Sequence, residues 1–276
     1  MSELEGKVAL ITGATRKRGL GRAIALALAE AGADIVVTGT GKPASGFEDE
    51  QRIPVDERDS GWRGAADVAD ECARLGVRTQ AMRLDVTNGQ EIESVIQGVI
   101  AQFGRLDILV NNATYPRGSD RTALHELDEG LWRRVIDVNL TGTMLCSRHA
   151  ASQMIAQGDG GTIIMISSVA GRRGIPGAGA YATSKGALHL LSGTFAAELG
   201  KYGITSNVVA PGFIDTARID EVRQGNRWEQ RLRTIPMGRA GSAEETASLV
   251  RYLCGPQARW LSGQTIYIDG GETRGL

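Results

Sequence analysis

The stretch KVALITGATRKRGLGRAIALALAEA, residues 7–31, decides the fold. Its opening KVALIT is apolar without strict alternation, as expected of a strand covered on both faces. A glycine-rich turn follows, Gly13-x5-Gly19-x-Gly21, and residues 21–31 then repeat apolar side chains at helical spacing. Glycine at a strand–helix junction lets the backbone turn sharply and approach a bound group closely. The helix that opens there favours negative charge at its N-terminus. Any tight βα turn could use a glycine cluster, but this position, at the first strand–helix junction, fits the opening of a dinucleotide-binding βαβ unit.

The alternation continues along the chain. Strands are expected at residues 34–38, 79–83, 107–111, 162–167, 205–210 and 265–268, and helices at 63–75, 92–103, 131–157, 181–199 and 243–254. Strand–helix–strand order with right-handed crossovers predicts an α/β fold, a Rossmann-type doubly wound parallel sheet of seven strands. Residues 1–276 read as one domain, with no internal repeat. Residues 39–61 (GTGKPASGFEDEQRIPVDERDSG) read as an extended surface loop, and about 212–238 as a mobile substrate lid.

Composition narrows the function. A net charge of −1 provides no global field to draw nucleic acid or membrane. The longest run without Asp, Glu, Lys or Arg is residues 202–214, too short to span a bilayer, which takes about 20 apolar residues. The amino end lacks the basic and apolar regions of a signal peptide. Cys72, Cys146 and Cys254 are scattered and odd in number, which fits buried thiols in a reducing cytoplasm. The three histidines lack metal-ligand spacing, so no metal site is expected.

Two groups of residues carry chemistry. The first follows the second strand, where an Asp or Glu would hold the adenosine ribose of NAD and repel a 2′-phosphate. Here Gly39, Thr40, Gly41 and Lys42 supply no acid, while Arg16, Lys17 and Arg18 of the glycine loop are within reach of the same corner. This favours NADP(H), with NAD as the alternative if Glu48, Asp49 or Glu50 of the long loop intervenes. The second is Tyr181-Ala-Thr-Ser-Lys185, one helical turn, which puts a phenol and an ammonium on one face. A free phenol, with a pKa of about 10, exchanges protons poorly at neutral pH, and a nearby ammonium favours its phenolate form. Lysine is scarce here: five of the 31 basic residues. Ser168 ends the strand thirteen residues before Tyr181, at the sheet edge where ligands of such folds collect, and its hydroxyl is placed to hold a carbonyl oxygen. Its neighbour Ser167 reads as the residue that caps the turn.

These motifs, in this order, resemble the short-chain dehydrogenase/reductase family in its Tyr-x3-Lys branch, and are similar to 3-oxoacyl-[acyl-carrier-protein] reductases. The resemblance runs nearly end to end, from VALITGAT to TIYIDGG. It implies Tyr181 as general acid/base, Lys185 as its partner and a ligand of the nicotinamide ribose, Ser168 as carbonyl orienter, and Asn139 as holder of a proton-relay water. It implies cofactor contacts from Gly13, Thr15, Arg16, Arg18, Gly19, Leu20, Gly21, Thr40, Asp85, Val86, Asn112, Ala113, Pro211, Gly212 and Thr216, with Val209 or Ile214 as weaker candidates. The glycine spacing is two residues longer than the family's Gly-x3-Gly-x-Gly, and NNAT, ending in Thr114, replaces NNAG. Enoyl reductases of the superfamily also have longer glycine loops, but place Tyr and Lys further apart.

The expected activity is ketone–secondary alcohol interconversion by hydride transfer, on a 3-oxoacyl thioester or a cyclic or aromatic ketone. Alternatives are an NAD-dependent alcohol dehydrogenase working oxidatively and a non-catalytic NADP(H) sensor. Arg172, Arg173, Arg218 and Arg223 are candidates to meet an anionic substrate. A homotetramer or homodimer built on residues 131–157 and 181–199 is expected by analogy, in the cytoplasm, with no nucleic-acid or membrane partner.

Overall fold

Because strands flanked on both faces by helices must be apolar throughout, the seven expected strands can lie side by side only within a three-layer stack. The computed structural model, which describes residues 2–40, 55–118, 120–223 and 225–274, has that architecture. Strands β1 (Val8–Ile11), β2 (Asp34–Gly39), β3 (Thr79–Arg83), β4 (Ile108–Asn111), β5 (Gly161–Ile166), β6 (Ile204–Pro211) and β7 (Thr265–Ile268) form one parallel sheet in the order β3-β2-β1-β4-β5-β6-β7. It is a single Rossmann-like domain. Side chains of β1 alternate between two cores: Ala9 and Ile11 pack with helices α1 (Leu20–Glu30) and α9 (Ala243–Cys254), and Val8 and Leu10 with α4 (Gly89–Phe103) and α6 (Gly142–Gln157). The winding direction reverses between β1 and β4. Their carboxyl ends open the crevice where ligands of such sheets bind.

Two expectations need correction. Residues 131–157 are not one helix. Helix α5 (Glu129–Ile136) and α6 are joined by a π-helical turn, Asp137–Thr141, with Asn139 fully buried in it. The apolar spacing runs through this turn unbroken, so periodicity could not reveal it, and π-turns are frequent at functional sites. Nor is the stretch 39–61 simply an extended loop. Gly39 completes β2, and Val55–Asp59 forms a short helix, α2, followed by α3 (Ala65–Ala73). Helix α2 is held to the glycine loop because Glu57 accepts hydrogen bonds from the Lys17 backbone N–H (2.7 Å) and the Arg16 guanidinium (3.0 Å). Residues 41–54, including Lys42, Glu48, Asp49 and Glu50, lie outside the described residues.

The segment expected as a lid is ordered into a 3₁₀ turn, Ala217–Arg223, and α8 (Arg227–Leu232). All three cysteines are buried, and burial pushes each thiol up to about 12. Among the described residues no helix is long and apolar enough to cross a membrane, and no cluster of metal-ligating side chains occurs.

Candidate active site

Helix α7 (Gly179–Leu199) presents Tyr181 and Lys185 one turn apart beside the carboxyl end of β5. Lys185 is 3% exposed, and its Nζ donates to the Ile166 carbonyl at 2.7 Å. Burial, reinforced by the charge of Arg218, pushes its ammonium down to about 7. Nζ stands 5.9 Å from the centre of the Tyr181 ring. Between them Ser184, fully buried, donates to the Tyr181 carbonyl and accepts from Asn139 Nδ2 at 2.9 Å. Asn139 Oδ1 in turn accepts from the Tyr115 N–H (2.7 Å) and Thr114 Oγ1 (3.1 Å). Asn139 therefore ties the loop after β4 to α7. Its side chain is occupied by these partners, and its carbonyl already accepts from Thr143 Oγ1 at 2.9 Å. The hydroxyl of Thr114, the departure from NNAG, is used in this network.

Ser168 follows β5, and its Oγ accepts from the Ala170 N–H at 3.2 Å. The turn-capping hydroxyl is therefore Ser168, not Ser167 as the sequence suggested. Ser167 instead donates to the Lys185 carbonyl at 2.8 Å and meets His189 Nε2 at 2.9 Å, which braces α7 against β5. The Ser168 proton stays available to a carbonyl oxygen, because capping uses only a lone pair.

The glycine loop is built for close approach. Gly13 has φ +69°, and a Cβ there would stand 2.6 Å from Ala113 Cα. Asn112 Nδ2 donates to the carbonyls of Thr12 (2.9 Å) and Gly13 (3.0 Å), and the N–H groups of Asn112 and Ala113 donate to Thr12 Oγ1. A Cβ at Gly21 would fall 2.6 Å from Asn112 Nδ2, so the helix can start this close to β4 only with glycine there. Gly19 caps α1 without a side-chain bond, and no acid occupies the first turn with Leu20. Its terminal N–H groups are thus open to an anion. At the end of β2, a Cβ on Gly39 would meet Thr15 Cγ2 at 2.1 Å, and Thr40 follows. Beyond β3, Asp85 Oδ1 accepts from the N–H (2.9 Å) and Oγ1 (2.7 Å) of Thr87, and Val86 is buried against Gly142. At β6, Pro211 ends the strand and Gly212 N–H donates to the Ile268 carbonyl. Ile214 then bridges to Gly241, and Thr216 is buried. The expected cofactor residues thus line one edge of the sheet.

The basic residues of the glycine loop are not free. Arg16 pairs with Glu57, and Arg18 with Asp220 of the 3₁₀ turn Ala217–Arg223 and Asp56 of α2 (3.5 Å). Ala217 N–H also donates to the Arg18 carbonyl, so this turn rests on the glycine loop. The acid facing this corner is Glu57, 5% exposed, which the sequence reading missed. Its only signal was a carboxylate in a charged stretch. Of the four candidate arginines, Arg173 is paired with Glu272, Arg223 with Asp215, and Arg172 lies over the Tyr267 ring. Only Arg218 reaches Tyr181, its Cζ 5.1 Å from the ring centre. Arg121, which the sequence did not single out, lies closer still, at 4.5 Å.

Residues 55–273 match the family model described as Enoyl-(Acyl carrier protein) reductase. The chain is 37% identical over 265 residues to the 3-oxoacyl-[acyl-carrier-protein] reductase of Staphylococcus aureus, covering 96% of this chain and 97% of that one. Among solved structures, a short-chain type dehydrogenase/reductase from Mycobacterium marinum superimposes with a TM-score of 0.85 at 33% identity, covering 99% and 98% of the two chains. A gluconate 5-dehydrogenase from Burkholderia cenocepacia, in complex with NADP and tartrate, superimposes with a TM-score of 0.84 at 30% identity over 99% and 98%. The fold and these likenesses define a dehydrogenase/reductase enzyme. The chain belongs to the short-chain dehydrogenase/reductase family.

Proposed function

We propose that the protein interconverts a ketone and a secondary alcohol by hydride transfer with NADP(H), with Tyr181 as general acid/base. The observation that carries this reading is the Tyr181–Lys185 pair on α7, with Lys185 Nζ 5.9 Å from the Tyr181 ring centre and bonded to the Ile166 carbonyl at the end of β5, the strand that Ser168 follows. The glycine loop fits a dinucleotide: no acid occupies the first turn of α1, its terminal N–H groups are open, and Gly13 and Gly21 let the loop pack closely against Ala113 and Asn112. Gly13, Thr15, Gly19, Leu20 and Gly21 would hold the pyrophosphate end, with Asn112 and Ala113 beside them. Asp85 and Val86 would flank the adenine, and Pro211, Gly212, Ile214 and Thr216 the nicotinamide. The bound nicotinamide supplies the hydride.

Ser168 donates to the carbonyl oxygen and holds it near the phenol. Tyr181 gives that oxygen its proton, and Lys185 favours the phenolate left behind. Asn139 keeps the two helices in register through Ser184, and its carbonyl is the candidate holder of a relay water. The absence of an acid at Gly39 and Thr40, together with Arg16, supports NADP(H), and Glu57 beside Arg16 is the feature that would favour NAD. The 3-oxoacyl reductase relatives support a 3-oxoacyl thioester, and the gluconate 5-dehydrogenase bound to tartrate supports a hydroxy acid. Replacing Tyr181 with Phe tests the assignment. Turnover should fall about 10²–10⁴-fold with NADPH affinity, read by fluorescence titration, nearly intact. Wild-type turnover in that variant would refute it.

A further inference from the structure

We propose that the substrate is a small carboxylate-bearing molecule, an oxo acid or its hydroxy acid, whose carboxylate is seated on Arg121 and Arg218 beside Tyr181. This rests on the Tyr181 reading above and adds the substrate class to it.

Two guanidiniums lie over the ring of the phenol, Arg121 at 4.5 Å and Arg218 at 5.1 Å. A third, Arg117, lines a cavity of about 460 Å³ together with Phe213, Glu221 and Arg231. Buried N–H groups are nearly always hydrogen-bonded, and one left unpaired is costly. Yet three of the eight buried polar side-chain atoms without a partner among the described residues belong to this cluster: Arg117 Nε, Arg121 Nε and Arg218 Nη2. The acids nearby do not satisfy them. Asp120 Oδ2 lies 3.5 Å from Arg121 Nε, with Oδ1 already taken by the Gly118 N–H, and Glu221 lies 3.7 Å from Arg117. Arg218 donates to the neutral Tyr115 carbonyl at 3.0 Å and makes no ion pair among the described residues. Burial, with the charges of Arg218 and Arg117 opposing the pull of Asp120, holds Arg121 below the usual guanidinium range. The cluster is a concentrated, incompletely paired positive site.

Its position limits the size of the anion. With the guanidinium carbons 4.5 and 5.1 Å from the centre of the Tyr181 ring, a carboxylate on them and a carbonyl at the phenol belong to one compact molecule. An acyl thioester on a pantetheine arm carries its phosphate far from the carbonyl and would leave both arginines unpaired. In reduction the carbonyl carbon gains a hydride from the reduced nicotinamide and the oxygen a proton from Tyr181. The carboxylate is unchanged and serves only to bind and orient.

The test compares each acid with its neutral methyl ester: acetoacetate, 4-oxopentanoate and 5-oxohexanoate, reduced with NADPH and in parallel with NADH. For at least one pair, kcat/KM for the acid should exceed that for the ester by about tenfold or more. That ratio should fall about tenfold in Arg121→Leu and in Arg218→Leu, and less in Arg121→Lys, which keeps the charge but not the planar fork. A general loss of cofactor binding would lower acid and ester together and leave the ratio unchanged. Should a variant not fold, malonate serves as a second readout on the wild-type enzyme: it should inhibit ester reduction competitively at millimolar concentration. Esters turned over without acid preference, a ratio unmoved by both leucine variants, or no inhibition by malonate would overturn the proposal and leave the Tyr181 assignment standing. Wild-type turnover in Tyr181→Phe would overturn the assignment beneath it.

Discussion

If the protein binds NADP(H), Glu57 is the residue that must give way. Its carboxylate takes the Lys17 N–H at 2.7 Å and the Arg16 guanidinium at 3.0 Å, and its side chain is 4% exposed. A 2′-phosphate sharing Arg16 with that carboxylate would stand about 5 Å from it, where two unit charges at an effective dielectric constant of about 20 repel by about 3 kcal/mol. Arg16 is one-third exposed, so solvent screening roughly halves this, to about 1.5 kcal/mol. Glu57→Gln keeps the shape and removes the charge. Its dissociation constant for NADPH should fall a little over tenfold, while that for NADH, which brings no 2′-phosphate, should move by less than about threefold. Side-by-side fluorescence titrations give both constants, and a low-salt series should enlarge the difference. An NADPH-to-NADH affinity ratio within about threefold of wild type would refute the reasoning, and would mean that Glu57 is a structural brace rather than a charge at the cofactor's door.

Three further outcomes are expected. Because Lys185 is held down to about 7, kcat/KM for the reduced cofactor should fall as pH rises through about 7, since reduction uses the ammonium form. Arg218→Leu should move that break upward, and a flat profile to pH 9 would refute the link. Ser242→Ala removes one half of the capping box in which Ser242 Oγ accepts from the Glu245 N–H (3.1 Å) while the Glu245 carboxylate accepts from the Ser242 N–H (2.8 Å). It should cost about 1 kcal/mol and about 3 °C in Tm by calorimetry. Leu190 projects from α7 with 81% of its surface exposed, so Leu190→Glu should lower the mass seen by light scattering if α7 forms the expected contact between subunits. A wild-type monomer would refute that expectation.

What the sequence made legible, and what it did not, follow from how each part of the site is built. Strands 79–83 and 265–268 and helix 243–254 were read to the residue, the helix because the Ser242 cap and Gly255 mark its ends. Tyr181 and Lys185 were legible because helical spacing puts i and i+4 on one face without help from the rest of the chain. Asn139 was legible through the VNLTG motif, but the π-turn that buries it was not, because one extra residue in a turn leaves apolar spacing almost unchanged. Glu57 and Arg121 were invisible for a different reason. Each reaches the site only through tertiary packing between segments far apart in the chain, α2 against the glycine loop and Arg121 against Tyr181 of α7. This division has a functional side. The phenol and ammonium of the proposed reduction sit on one long helix, α7, which holds them in fixed relation whatever the substrate. The groups proposed to select the cofactor and substrate, Glu57, Arg121 and Arg218, lie outside the sheet and its long flanking helices, where the chain can change charge without disturbing the core. The incompletely paired arginines at Tyr181 are therefore where this chain's own substrate should be sought, rather than in the motifs it shares with the reductases it resembles.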